Sequence, residues 1–383
     1  MSRTIWIGVV LVASLALAIA LSRDGEEIVT APESALGDVP RFEVDPSWPT
    51  IPDGWVLGVV ASVAVDDRDH VWVLQRPGSL GPEEASMAAP PVLEFDPEGN
   101  FQQGWGGPDP DYHWPGSEHG IFVDHNDYVW VGGNGPDDHQ VLKFTMNGEF
   151  VMQIGRSGES RGNSDTANLG RPADVWVHPP TNELFVADGY GNRRVIVYDA
   201  DTGDFRRMWG AFGNDAADVE TDPSWAEEQE GSGPPQFAPP VHAAKVSNDG
   251  LVYVSDRAGK RVQVFTTEGE YVSQVFIGRD CLVPECGNGT TAASTAFSPD
   301  PEQSFLYVGN RSQARVMVLE RKTLEILYGF GQWGSAPGEF GTLHHMDVDS
   351  KGNLYVTEVT PLDPVNRRVQ KFVFAGMRPR SEM

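Results

Sequence analysis

Three histidines recur at one place in a repeating frame. When the 383-residue chain is divided into repeats, each anchored on the end of its first strand (Asp66, Asp124, His178, Ser247, Ser298 and Ser350), the residue five before the anchor is Ala61, His119, Ala173, His242, Ala293 and His345. Histidine occupies every second repeat. If the repeats close into a ring, alternate units place three imidazoles about 120° apart, converging on the axis. Three neutral imidazoles with a fourth direction open form the donor set of a catalytic zinc site, with room for water or substrate. The bland alternative is three histidines hydrogen-bonded to neighbouring repeats without a metal. His344 adjoins His345, and a one-residue shift of frame exchanges them.

The same frame sets Arg76 and Arg257 fifteen residues after Ala61 and His242, at the ends of second strands that ring one mouth. Two guanidiniums beside a metal point to an anionic substrate, because the planar fork grips a carboxylate with two parallel hydrogen bonds. Arg311 falls nearby in the fifth repeat but ranks below them, since an arginine in such a hinge is also a routine donor between units. Tyr190, in Ala187-Asp188-Gly189-Tyr190-Gly191-Asn192, lies on the corresponding hinge of the third repeat. Opposite charge favours the phenolate, so a tyrosine beside an arginine and a metal is a usable general base. Its structural alternative is packing over the sheet.

The elements that must position these side chains are short strands. Second strands read HVWVLQR to Arg76, YVWVGGN to Asn134, ELFVADGY to Tyr190, LVYVSDR to Arg257, FLYVGNR to Arg311 and NLYVTEV to Val359. Each alternates as a half-buried strand does. Third strands follow as VLEF, VLKF, VIVY, VQVF, VMVL and VQKF, and most are followed by an outer strand ending in glycine. Such units cannot bury both faces alone, so they must stack radially around a channel. The prediction is an all-β fold, a six-bladed β-propeller with four antiparallel strands per blade. VADGYGNRRVIVY and VSDRAGKRVQVF resemble the NHL class of propeller repeats. Glycine at 42 residues and proline at 29 fit many tight turns rather than long helices.

With 55 acidic against 28 basic residues the net charge is −27, which excludes a nucleic-acid binder working through a general basic surface. The apolar run from Thr4 to Leu21, with Arg3 before it and Asp24, Glu26 and Glu27 after it, reads either as a cleaved export signal or as an uncleaved membrane anchor. Both readings carry the body out of the cytoplasm, and the anchor is the only membrane contact expected. Residues 22–50 read as a tether, 51–376 as the propeller and 377–383 as a tail. The two cysteines, Cys281 and Cys286, exclude a disulfide framework; they are either bridged across a short loop or free.

HGIFVD, VHAAKVS, HHMDVDS and DGYGN together resemble the peptidyl-α-hydroxyglycine α-amidating lyase family, a six-bladed propeller, over nearly the whole repeat region. The resemblance implies zinc on His119, His242 and His345, a catalytic Tyr190, and active-site Arg76 and Arg257. It implies cleavage of the C–N bond of a C-terminal α-hydroxyglycine, or a similar N-acyl carbinolamide, to an amide and glyoxylate. The substrate is then a small molecule or peptide bearing a carboxylate, supplied by a separate monooxygenase that this chain does not contain. The family also implies a structural calcium on the main-chain carbonyls of Val63 and Ile121 and on an aspartate directly after the third histidine. That residue here is Met346, a poor ligand for a hard ion, so either Asp347 substitutes, the ion binds more weakly, or it is absent. The cysteine after the family's tyrosine is Gly191. Two other functions compete: a non-catalytic exported NHL propeller that binds a protein or glycan, and a calcium-dependent lactonase. The lactonase would need carboxylate and amide ligands where this chain has histidines.

Overall fold

The computed structural model describes residues 37–216, 230–283, 286–359 and 366–382; the expected export segment lies outside them. It contains six sheets of four antiparallel strands, as the alternation predicted. The first strand of each sheet is β2 (Val59–Val65), β6 (Glu118–Val123), β10 (Asp174–His178), β14 (Val241–Val246), β18 (Ala292–Phe297) and β22 (Leu343–Val348). In five sheets the chain runs outward strand by strand.

The sixth sheet differs. Its order is β22, then Leu354–Glu358, then Val369–Pro379, then β1 (Asp38–Asp45), so the outermost strand comes from the start of the propeller. Phe42 pairs with Phe374 and Val44 with Phe372, and Val39 is fully buried. The tether expected through residue 50 is therefore shortened by a strand, and the last sheet strand runs to Pro379 rather than ending at 376. The reason is geometric: a ring has no free first edge, so the N-terminal segment must complete the sheet begun by the C-terminal one.

Sheets hold together through apolar layers shared by neighbours. Phe185, Val197 and Trp209 of the third sheet pack with Val241, Val252 and Phe265 of the fourth. Burying such faces is worth about 25 cal/mol per Å² of apolar surface. The repeat's hinge arginines are structural. Arg194 meets Asp188 at 2.9 Å, Arg261 meets Asp256 at 2.8 Å and Arg368 meets Glu358 at 2.6 Å. Each carboxylate also accepts a backbone N–H from the segment leading into its own sheet, Gly170, Ala238 or Gly341. Cys281 and Cys286 form a disulfide.

Candidate metal centre

One residue near the start of the first strand is squeezed out of register in most blades. In the second blade Glu118 pairs with Gly133 and Gly120 with Gly132, leaving His119 unpaired between them. In the fourth, Val241 pairs with Asp256 and Ala243 with Ser255, which isolates His242. In the sixth, Leu343 pairs with Glu358 and Met346 with Val356, which leaves His344 and His345 together opposite Thr357. A bulge of this kind re-aims side chains. Here it gathers four buried imidazoles whose ligand nitrogens all lie within 4.8 Å of one another.

Hydrogen bonds at Nδ1 sort these rings. His119 donates to the Ala173 carbonyl at 2.7 Å, His242 to Ala293 at 2.5 Å and His344 to Ala61 at 2.6 Å. A carbonyl only accepts, so all three carry the proton on Nδ1 and present a lone pair on Nε2. His345 differs. Its Nδ1 lies 2.7 Å from Ser62 Oγ, a hydroxyl that either donates or accepts, and its Nε2 is buried with no partner among the described residues. Burial, helped by neighbouring cationic groups, holds all four well below the ordinary histidine range, so protons do not compete for the nitrogens.

This pattern shifts the sixth repeat by one residue. Asp349, not Ser350, closes the turn that Asp66 and Asp124 close: its N–H reaches the Asn353 carbonyl, and its Oδ1 accepts from Lys351 and Asn353. Five residues before Asp349 stands His344. The equivalent position therefore belongs to His344, with His345 equivalent to Ser62; the cluster contains both. The signal was the Val-Asp dipeptide ending the first strands at Asp66, Asp124 and Asp349.

Tyr190 reaches the cluster from the hinge after the strand Glu183–Asp188. A Cβ on Gly189 would stand 2.0 Å from the Val241 carbonyl oxygen and one on Gly191 2.8 Å from that of Gly170, so only glycines let this turn lie so close. The phenol oxygen lies 2.9 Å from His119 Nε2 and 3.2 Å from His242 Nε2, and it accepts from Arg257 Nη1 at 2.9 Å. Arg171 and Arg257 flank its ring at 5.8 and 5.3 Å. Arg76 lies close enough for its charge to act on Tyr190 and His119, but its hydrogen bonds go elsewhere: Nε donates to the Glu118 carbonyl at 2.6 Å, bracing the residue before His119, and Nη2 faces Asn134 Oδ1 at 3.4 Å.

Deeper in the channel stand residues that the repeat frame had not singled out. Lys245 is buried and donates to the Met346 carbonyl at 2.9 Å; its ammonium lies 3.9 Å from Asp347 and 5.3 Å from the Trp176 ring. Asp174 is buried with Oδ2 unpartnered among the described residues, and burial pushes its carboxyl up to about 7. These observations test the two metals. The histidine set fits zinc: neutral imidazoles, three held in the ligand tautomer by second partners. Calcium does not fit. With the sixth repeat in register the residue after the third histidine is His345, a nitrogen donor. Met346, in the place of Val63 and Ile121, gives its carbonyl to an ammonium.

No protein-family model matches the chain. NHL repeat-containing protein 3 of Mus musculus is 28% identical over 289 residues, which are 73% of this chain and 70% of that one. Peptidyl-alpha-hydroxyglycine alpha-amidating lyase 1 of Drosophila melanogaster is 25% identical over 359 residues, covering 86% of this chain and 59% of that one. Among solved structures, a streptogramin B lyase superposes with a TM-score of 0.51 at 13% identity, over 87% of this chain and 98% of its own, a likeness of fold.

Proposed function

We propose that the chain is a metal-dependent lyase, cleaving the C–N bond of a peptidyl-α-hydroxyglycine or similar N-acyl carbinolamide to an amide and glyoxylate. One observation carries the reading: the Tyr190 oxygen sits on the Nε2 atoms of His119 and His242 while Arg257 donates to it. A propeller serving only as a binding scaffold has no need to gather a half-buried phenol and guanidinium against four buried imidazoles. The resemblance to a named lyase supports the same reading. The similarity to NHL repeat-containing protein 3, whose name states no reaction, is what the non-catalytic alternative rests on.

His119, His242 and His344 would hold zinc through Nε2, with His345 beside them. Bound there, zinc would supply Lewis-acid polarisation of a substrate oxygen. Tyr190 acts as the general base toward the proton of the substrate's α-hydroxyl. The O–H electron pair becomes the new carbonyl bond of glyoxylate, and the C–N pair departs on the amide nitrogen. That nitrogen is then reprotonated from Tyr190, so atoms and charge balance without a redox partner. Arg257 orients the phenol and grips the carboxylate. Arg76 positions His119 through the Glu118 carbonyl. The substrate is the product of a hydroxylation at the α-carbon of a C-terminal glycine or similar N-acyl group.

The test is glyoxylate release from α-hydroxyhippurate by zinc-loaded protein. Wild type should contain about one zinc per chain and turn over. Tyr190→Phe should retain the metal and lose about 10²- to 10⁴-fold in rate. Turnover undiminished in that variant removes Tyr190 as the base; no turnover by zinc-loaded wild type removes the lyase.

A further inference from the structure

Arg311 has the same place in its blade as the two arginines of the site. Gln75 pairs with Val60, Asp256 with Val241 and Asn310 with Ala292. The next residues, Arg76, Arg257 and Arg311, therefore close equivalent bulges in blades one, four and five. They are a different class from the hinge arginines Arg194, Arg261 and Arg368, each of which ends on a carboxylate. The Thr291 backbone locks two of them side by side, its N–H meeting the Arg257 carbonyl and its carbonyl accepting from the Arg311 N–H.

These two neighbouring guanidiniums differ in their partners: Arg257 donates to the Tyr190 oxygen, and Arg311, among the described residues, reaches only the Thr290 hydroxyl. Among the described residues no carboxylate ion-pairs with either, and the Nε atoms of both are buried without a partner. The side-chain hydrogen bond of Arg311 is a long one, 3.4 Å from Nη1 to Thr290 Oγ1. Burial first, and then the charge of Arg257, lower its affinity for its proton to a pKa of about 10. Two adjoining partly buried cations with unmet Nε donors are costly, and among the described residues none of the chain's 55 acidic side chains ion-pairs with them. A ligand anion relieves both the repulsion and the unmet donors. Arg76 already donates its Nε–H to the Glu118 carbonyl at 2.6 Å, so it is the less available of the three.

The geometry points to Arg311 as the partner of Arg257 in binding the substrate carboxylate. This rests on the lyase reading for the identity of the anion; the anion site itself stands on two guanidiniums whose Nε atoms are unpartnered and which, among the described residues, meet no carboxylate. Arg311 is then a substrate-binding residue and sets specificity for acids over their amides.

Hippurate, which keeps the acyl group and carboxylate but lacks the α-hydroxyl, is the probe. Calorimetric titration into zinc-loaded protein should show binding that weakens with salt and is absent for hippuric acid amide. Arg311→Gln should weaken it about 10- to 100-fold, as expected for loss of a charged hydrogen-bond pair. Arg311→Lys should restore part of it, with zinc content and melting temperature unchanged. In turnover of α-hydroxyhippurate the change should appear in KM more than in kcat. Wild-type affinity for hippurate in Arg311→Gln overturns the inference, as does equal affinity of wild type for hippurate and its amide. Tight hippurate binding by wild type with no glyoxylate release sinks the lyase reading and leaves the anion site standing.

Discussion

His344→Ala and His345→Ala separate ligation from proximity. The two rings are stacked 4.6 Å apart, so each substitution empties a similar volume at the same place, and cavity costs largely cancel between them. Their nitrogens are not alike. His344 is fixed by the Ala61 carbonyl with its Nε2 lone pair free, as His119 and His242 are fixed by Ala173 and Ala293. His345 faces the Ser62 hydroxyl, which imposes no tautomer. Removing merely the outer partner of a ligating histidine weakens metal binding about 10- to 100-fold. Removing the ligand itself should therefore exceed 100-fold, more than about 2.8 kcal/mol. His345→Ala leaves three carbonyl-fixed donors and should cost less than about tenfold on the same scale. Zinc titration of metal-stripped protein against a chromophoric chelator reads both constants, with circular dichroism to confirm folding. Loss of zinc by His345→Ala, with retention by His344→Ala, would refute the tautomer argument and restore His345 as the third ligand.

Two further expectations concern the channel below the histidines. Calcium should not raise the melting temperature of wild type, because the Lys245 ammonium already serves Met346 and Asp347; a calcium-dependent rise of several degrees would sink that account. Lys245→Met should cost about 1–3 kcal/mol by leaving the buried Met346 carbonyl without its donor and half-buried Asp347 without its cation, and added calcium should recover part of it. The Asp174 carboxyl sits at about 7 in the fold against 3.8 as a free group. Its favourable protonated state is fully present below the unfolded value and is lost as pH rises through 7. Wild type should thus weaken relative to Asp174→Asn between pH 5 and 8, by at most about 3 kcal/mol. Parallel urea unfolding curves at the two pH values would contradict this.

The repeat alternation alone determined the propeller, its six units and the inward gathering of alternate histidines, because strand periodicity is local and a six-fold pattern is visible without coordinates. DGYGN marked Tyr190 for the same reason: two glycines around an aromatic residue require a close turn. What tertiary structure decided was whatever depends on neighbours distant in the chain. The sixth sheet borrows Asp38–Asp45 from the opposite end, a pairing no local window reveals. The choice between His344 and His345 turns on which ring meets the Ala61 carbonyl, 283 residues away. Arg311 and Arg194 look alike as hinge arginines, and only the presence of Asp188 beside one and the absence of an ion-paired carboxylate at the other, among the described residues, tells them apart. Lys245 reads as an ordinary lysine in a strand until the closed ring buries it against Met346, because its charge acquires meaning only from groups that ring closure brings to the axis.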